Sequence, residues 1–156
     1  MTVLRPLELL DALRKHAVDF LVIGGVAVAA HGYVRGTKDV DIIPNPERVN
    51  LERLLEALAD LDAVQDAGDR PEELPLDLDL DSLAAGENWL LTTRHGRLDV
   101  MQSVEGARPY ARLREAAVVR DGIAYVGLDD LISMKQAAGR DLDLVDIRAI
   151  EEARGA

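Results

Sequence analysis

Residues 20–44 constrain this chain more than any other stretch, because they set a strand, a glycine turn, a short helix and a second strand in one continuous segment. Phe20 to Ile23 is an apolar run ending in Gly24 and Gly25. Small residues follow from Val26 to Ala30, and Lys38 to Ile43 alternates charge with branched aliphatic side chains. Side chains on a strand repeat every second residue, so Asp39 and Asp41 share one face, roughly 7 Å apart at Cα, while Val40 and Ile42 turn to the core. Carboxylates fixed this way can hold hard cations through oxygen ligands. The two glycines allow close backbone approach, and the helix they open has first N–H groups free to meet a phosphate.

The flanking segments read as cover for that unit. Leu7, Leu10, Leu13 and Ala17 fall near helical spacing within residues 4–18, with Pro6 tolerated in the first turn. Pro44-Asn45-Pro46 stops the second strand, and Leu51, Leu54, Leu55 and Leu58 mark a helix over 49–61. Residues 62–75 are acidic and broken by Gly68, Pro71 and Pro75, a loop by composition. Leu76 to Asp81 alternates, and is either an edge strand or the acidic first turn of a helix over 81–85. Two strands, 89–93 and 97–101, join through Arg94-His95-Gly96, a short helix follows over 109–116, and Asp121-Gly122 turns a further hairpin between 117–119 and 123–126. The end of the sequence is helical. Leu131, Met134 and Ala138 form one stripe, Gly139 interrupts it, and Leu142, Val145, Ile147 and Ile150 continue a second.

Composition excludes several classes. With 156 residues and no cysteine, the chain reads as one domain without a disulfide framework or a thiolate zinc site; the three histidines, His16, His31 and His95, are scattered. No apolar run approaches the ~20 residues that span a bilayer, and no signal-peptide core opens the sequence, so a cytoplasmic address without membrane partners is expected. A net charge of −11 argues against a surface that coats nucleic acid, while leaving room for a local basic path.

An Asp-x-Asp spacing is common here: Asp60/Asp62, Asp77/Asp79, Asp79/Asp81 and Asp141/Asp143 all show it. Asp39/Asp41 is set apart by its strand-like context behind a glycine turn, and Asp99 is a third strand-borne carboxylate. Three carboxylates at one end of a sheet can hold two magnesium ions, an arrangement that stabilises both oxygens exchanged in phosphoryl or nucleotidyl transfer. Arg35 and Lys38 stand near these acids and either bind a triphosphate or balance local charge. His31 reads as a hydrogen-bonding residue at a helix end rather than a ligand.

Gly24 and Gly25, thirteen further residues and then Asp39-Val40-Asp41-Ile42 resemble the signature of the nucleotidyltransferase superfamily with the DNA polymerase β-like fold. The likeness extends to Ala29, His31, Gly32, Arg35 and Thr37 and to Gly96-Arg97-Leu98-Asp99, which are similar to the small bacterial nucleotidyltransferases related to AbiEii-type toxins. Met134-Lys135 through Ala138-Gly139-Arg140 to Asp146 resembles their C-terminal helical segment. The resemblance implies a single nucleotidyltransferase domain over 1–156, of α+β (α/β) class, with a small mixed sheet flanked by helices and a helical segment over about 128–154. It also implies that Gly24 and Gly25 hold nucleotide phosphates, with Arg35 and Lys38 nearby. Asp39, Asp41 and Asp99 would ligand two Mg2+ ions, and Asp99 would act as base toward an acceptor hydroxyl. Lys135 and Arg140 are either electrostatic partners of the triphosphate or ordinary helix-surface cations. The substrate implied is a nucleoside triphosphate, and the acceptor a transfer RNA end, a protein hydroxyl or a small molecule such as an aminoglycoside. The resemblance also places such an enzyme in a toxin–antitoxin system, with a cognate toxin or antitoxin protein as partner; the rival expectation is an inactive or weakly active antitoxin or regulatory module that binds a protein partner.

Overall fold

The computed structural model describes residues 3–33, 36–66 and 78–155. Within them a seven-stranded mixed sheet carries seven helices. In chain order the elements are α1 (Pro6–Lys15), β1 (Phe20–Ile23), α2 (Gly24–Ala30), β2 (Asp39–Pro44), α3 (Arg48–Asp60), β3 (Val64–Gln65), α4 (Leu80–Ala84), β4 (Trp89–Thr93), β5 (Gly96–Val100), α5 (Tyr110–Glu115), β6 (Val118–Arg120), β7 (Ile123–Tyr125), α6 (Leu128–Ala138) and α7 (Asp141–Arg154). Across the sheet the order is β3-β4-β5-β2-β1-β7-β6. β2 runs parallel to β5 and β1 parallel to β7, and the other neighbours are antiparallel. The α+β class and mixed sheet expected from the sequence are what the chain forms, and no helix among the described residues is long and apolar enough to cross a membrane.

The centre of the sheet explains its stability. β1 is buried along its whole length, and Val40, Ile42, Leu98 and Val100 of the paired strands β2 and β5 are fully enclosed. Each Leu or Val side chain withdrawn from water in this way contributes on the order of 1.5–3 kcal/mol. Leu9, Leu10 and Leu13 of α1 and Leu51, Leu54 and Leu58 of α3 complete one continuous core.

Several boundaries differ from expectation, each for a local reason. α2 starts at Gly24 itself, because a left-handed Gly24 (φ 69°) turns the chain straight from strand into helix. Asp79 caps α4 by accepting the Ser82 N–H at 2.8 Å, so the helical alternative holds for 80–84, while residues 76 and 77 lie outside the described residues. The short strand β3 lies inside the expected acidic loop. Gly139, with φ 64°, ends α6 as the sequence suggests. Two apolar stripes are misread. Leu7 is exposed, and on α7 Leu142 and Val145 face outward whereas Asp143 and Asp146 are buried with Ile147 and Ile150.

A buried amide fixes the far end of β1 and β2. Asn50, on α3, accepts the Asp19 N–H at 2.6 Å and donates to the carbonyls of Asp19 and Asn45 at 2.8 and 2.9 Å. Asn45 in turn donates to the Asp19 carboxylate. Asn50→Ala strands these buried groups without partners, so a loss of about 2–3 kcal/mol is expected, seen as a fall of roughly 5–10 °C in thermal midpoint. A midpoint within about 1 °C of wild type would show that water replaces the amide freely.

Candidate active site

The sheet register assembles the acids. In the antiparallel pairing of β1 with β2, Ile23 lies opposite Asp41, so the strand-to-helix turn at Gly24 comes directly beside the Asp41 side chain. In the parallel pairing of β2 with β5, Asp41 lies opposite Asp99 and Asp39 opposite Arg97. A carboxylate oxygen from each of Asp39, Asp41 and Asp99 lies within 4.8 Å of the others. Gly24 is required here twice over: its backbone is left-handed, and a Cβ would overlap the Asp41 carboxylate.

Burial and repulsion together set the protonation of this triad. Burial, then the charges of Asp39 and Asp99, push Asp41 up to about 8, against a weaker pull from Arg140. Burial and Asp39 also raise Asp99, partly offset by its hydrogen bond with Asp41 and by Arg97, whose Nη2 donates to Asp99 at 3.4 Å. A proton therefore stays in the cluster at neutral pH. Hard, all-oxygen donors of this charge suit a divalent cation such as magnesium, which would take the place of that proton.

The triad opens into a cavity of about 600 Å³. Gly24, Gly25, Lys38, Asp39, Asp41, Asp99, Lys135 and Arg140 all line it, which unites every expected site residue except Arg35, which lies outside the described residues. Lys38 and Arg140 are exposed at its edge. Lys135 is neither a surface cation nor a free one: it is buried, with Nζ 2.9 Å from Asp146 and 3.5 Å from Asp143. Arg140 donates from Nε and Nη2 to Asp143 at 2.7 and 3.2 Å, and its charge is favoured first by Asp143 and then by Asp41 and Asp39. Burial works to raise Asp143, yet its bonds to Arg140 and the Lys135 charge bring it below the usual carboxylate range. His31 behaves as expected of a helix end, its Nε2 lying 2.8 Å from the Val126 carbonyl.

Sequence reasoning missed Asp143. It was visible only as one more Asp-x-Asp repeat, and its signal, a carboxylate three residues after Arg140 and eight after Lys135, needs the α6–α7 turn to become meaningful. Thr37, whose hydroxyl donates to the Asp39 carbonyl at 3.0 Å, and Glu105 also belong to the wall.

The fold is that of nucleotidyltransferases. The antibiotic-resistance factor ANT(2'')-Ia, in a solution structure, aligns at TM-score 0.58 and 17% identity over 94% of this chain and 80% of its own. The TM1012 protein of Thermotoga maritima, provisionally assigned as a nucleotidyltransferase, aligns at TM-score 0.52 and 15% identity over 99% and 94%. JHP933 of Helicobacter pylori aligns at 0.51 and 15% over 96% and 68%. No family model matches the sequence, and no curated protein matches it.

With chelator present, the folded state holds a proton at Asp41 that the unfolded chain releases near pH 4, so stability falls as pH rises from about 4 through about 8. Asp41→Asn removes this dependence. We expect it to stabilise the metal-free protein at pH 8 by about 1–2 kcal/mol, or roughly 2–8 °C, in melts followed by circular dichroism. Gly24→Ala should do the opposite, costing at least about 2 kcal/mol at any pH through strain and overlap. An Asp41→Asn melt lower than wild type at pH 8 would contradict the protonation described.

Proposed function

We propose that this chain is a magnesium-dependent nucleotidyltransferase that moves a nucleoside monophosphate from a nucleoside triphosphate to an acceptor hydroxyl. The observation that carries this reading is the union of the three carboxylates with the glycine turn and with Arg140 in one cavity. The cavity wall supports a metal requirement, because Asp39, Asp41, Asp99, Glu105 and Asp143 outnumber Lys38, Lys135 and Arg140. A bare triphosphate would meet net repulsion there.

Gly24 and Gly25 offer the first N–H groups of α2 to the phosphates, which approach closely because neither residue has a side chain. Arg140, held by Asp143, and Lys38 supply positive charge at the rim; Lys135 keeps Asp143 and Asp146 in place beneath. Magnesium on Asp39, Asp41 and Asp99 would neutralise charge on the phosphate oxygens. The acceptor oxygen bonds to the α-phosphorus as the bond to the bridging oxygen breaks, pyrophosphate leaves, and the hydroxyl proton passes to the Asp99 carboxylate. The acceptor classes that remain are a small molecule, a protein hydroxyl and an RNA end.

A second reading, a regulatory or antitoxin module of a toxin–antitoxin pair in the cytoplasm, is favoured by one observation. Leu142, Leu144 and Val145 stand exposed on α7 beside the cavity. It offers no reason for pressing three carboxylates together.

Calorimetry with each of the four ribonucleoside triphosphates tests the first reading. Binding should require magnesium, disappear in Asp39→Ala/Asp41→Ala, and weaken by about 10-fold in Arg140→Ala, in keeping with loss of one charge-assisted contact. Binding that persists without magnesium, or in the double variant, contradicts it.

A further inference from the structure

The sheet face that carries the triad continues past it. On β2 the residue after Asp39 and Asp41 on that side is Ile43, and on β5 Asp99 is followed by Met101, whose N–H donates to the Ile42 carbonyl and extends the parallel pairing by one step. The face thus changes from acidic to apolar within one residue pair. A second cavity, of about 460 Å³, opens there, walled by Ile43, Leu51, Ala84 and Leu113. Met101, Ser103 and Val104 line both cavities, so the two meet along one short segment.

Three of the four polar side chains that line this second cavity, Arg108, Tyr110 and Gln102 but not Ser103, are already engaged. Arg108 donates to both oxygens of the buried Asp130, at 2.8 and 2.7 Å. Tyr110 donates to Asp19 at 2.9 Å, and the Gln102 amide donates to the carbonyls of Leu83 and Glu87. Among the described residues no carboxylate lines it.

We infer that this second cavity is the acceptor subsite of the transfer proposed above, and that it takes a neutral, mainly apolar small molecule bearing a hydroxyl. The inference rests on the transfer reading. Its volume falls within the range of small-ligand sites, roughly 300–1,000 Å³. Met101 and Asp99 are two residues apart on one strand face, about 7 Å, so a molecule lying against Met101 and Ile43 extends its hydroxyl over Asp99. That hydroxyl then forms the bond to the α-phosphorus and yields its proton to Asp99. An acceptor with several amino groups is disfavoured, because its charges would be desolvated beside Arg108 with no carboxylate in the wall to pair them.

The test uses 2-naphthol as the neutral probe, tobramycin as the polycation, and Ala84→Trp, which adds bulk at an exposed position lining the second cavity alone. Methyl NMR should show 2-naphthol shifting the Met101 and Leu113 resonances saturably with magnesium and ATP present. Ala84→Trp should weaken 2-naphthol at least about tenfold and change ATP affinity by less than about twofold. With ATP bound normally, tobramycin in place of 2-naphthol at those methyls overturns the inference, as does no 2-naphthol shift or an unchanged 2-naphthol affinity in Ala84→Trp. Failure of all four ribonucleoside triphosphates to bind the wild type overturns the transfer reading instead, and the acceptor role falls with it; where another of the four binds in place of ATP, that one is used in the same test.

Discussion

Three like charges held within 4.8 Å are the constraint on which the rest of this structure depends. Left to themselves Asp39, Asp41 and Asp99 would separate, and they stay together because their backbones are fixed by a register that the opposite face enforces. A one-residue slip of β2 against β5 would turn Val40 and Ile42 out of the core they share with Leu98 and Val100. The apolar burial of one face thus compels the acidic crowding of the other. The repulsion relaxes in two ways: a proton retained at Asp41, and the guanidinium charges of Arg140 acting on Asp41 and of Arg97 acting on Asp99. Strain of this kind is the expected signature of a site selected for binding rather than for stability, in keeping with the cation and phosphate chain proposed for it.

The helical end of the chain supplies the balancing charge, and it does so against the usual pattern of amphipathicity. α7 buries Asp143 and Asp146 on Lys135 and leaves Leu142, Leu144 and Val145 outside. A buried ion cluster of this sort contributes little net stability relative to an apolar core. Its effect is positional: it joins α6 to α7 and aims Arg140 toward the acids. The same cluster would let an acidic chain maintain the polyanion site proposed above. Positive charge is local and held in place, and the balance of the wall leaves room for divalent cations.

Much of this was legible in the sequence, for identifiable reasons. The alternation of Lys38 to Ile43 and the Gly24-Gly25 break are short-range signals, and they locate β1, α2, β2 and two of the three acids. Asp99 was legible as strand-borne, but its place opposite Asp41 is a parallel pairing between residues far apart in the chain, which no local pattern encodes. The misreadings share one cause. Periodicity assigns apolar residues inward and charged ones outward, and so it placed Leu142 and Val145 in a core stripe and left Lys135 the choice between triphosphate partner and surface cation. Asp143 and Asp146 were invisible as partners until α6 and α7 folded back on each other. The second cavity was equally hidden, being made by segments that meet only in three dimensions.

The most direct measurement is a crystal structure of the protein with Mn2+ and the non-hydrolysable α,β-methylene analogue of ATP, recorded for anomalous scattering. The account predicts manganese peaks between the carboxylates of Asp39, Asp41 and Asp99, with the phosphate chain against Gly24 and Gly25 and Arg140 turned toward it. Nucleotide bound elsewhere, or no anomalous density at the three acids with the analogue in place, would contradict it.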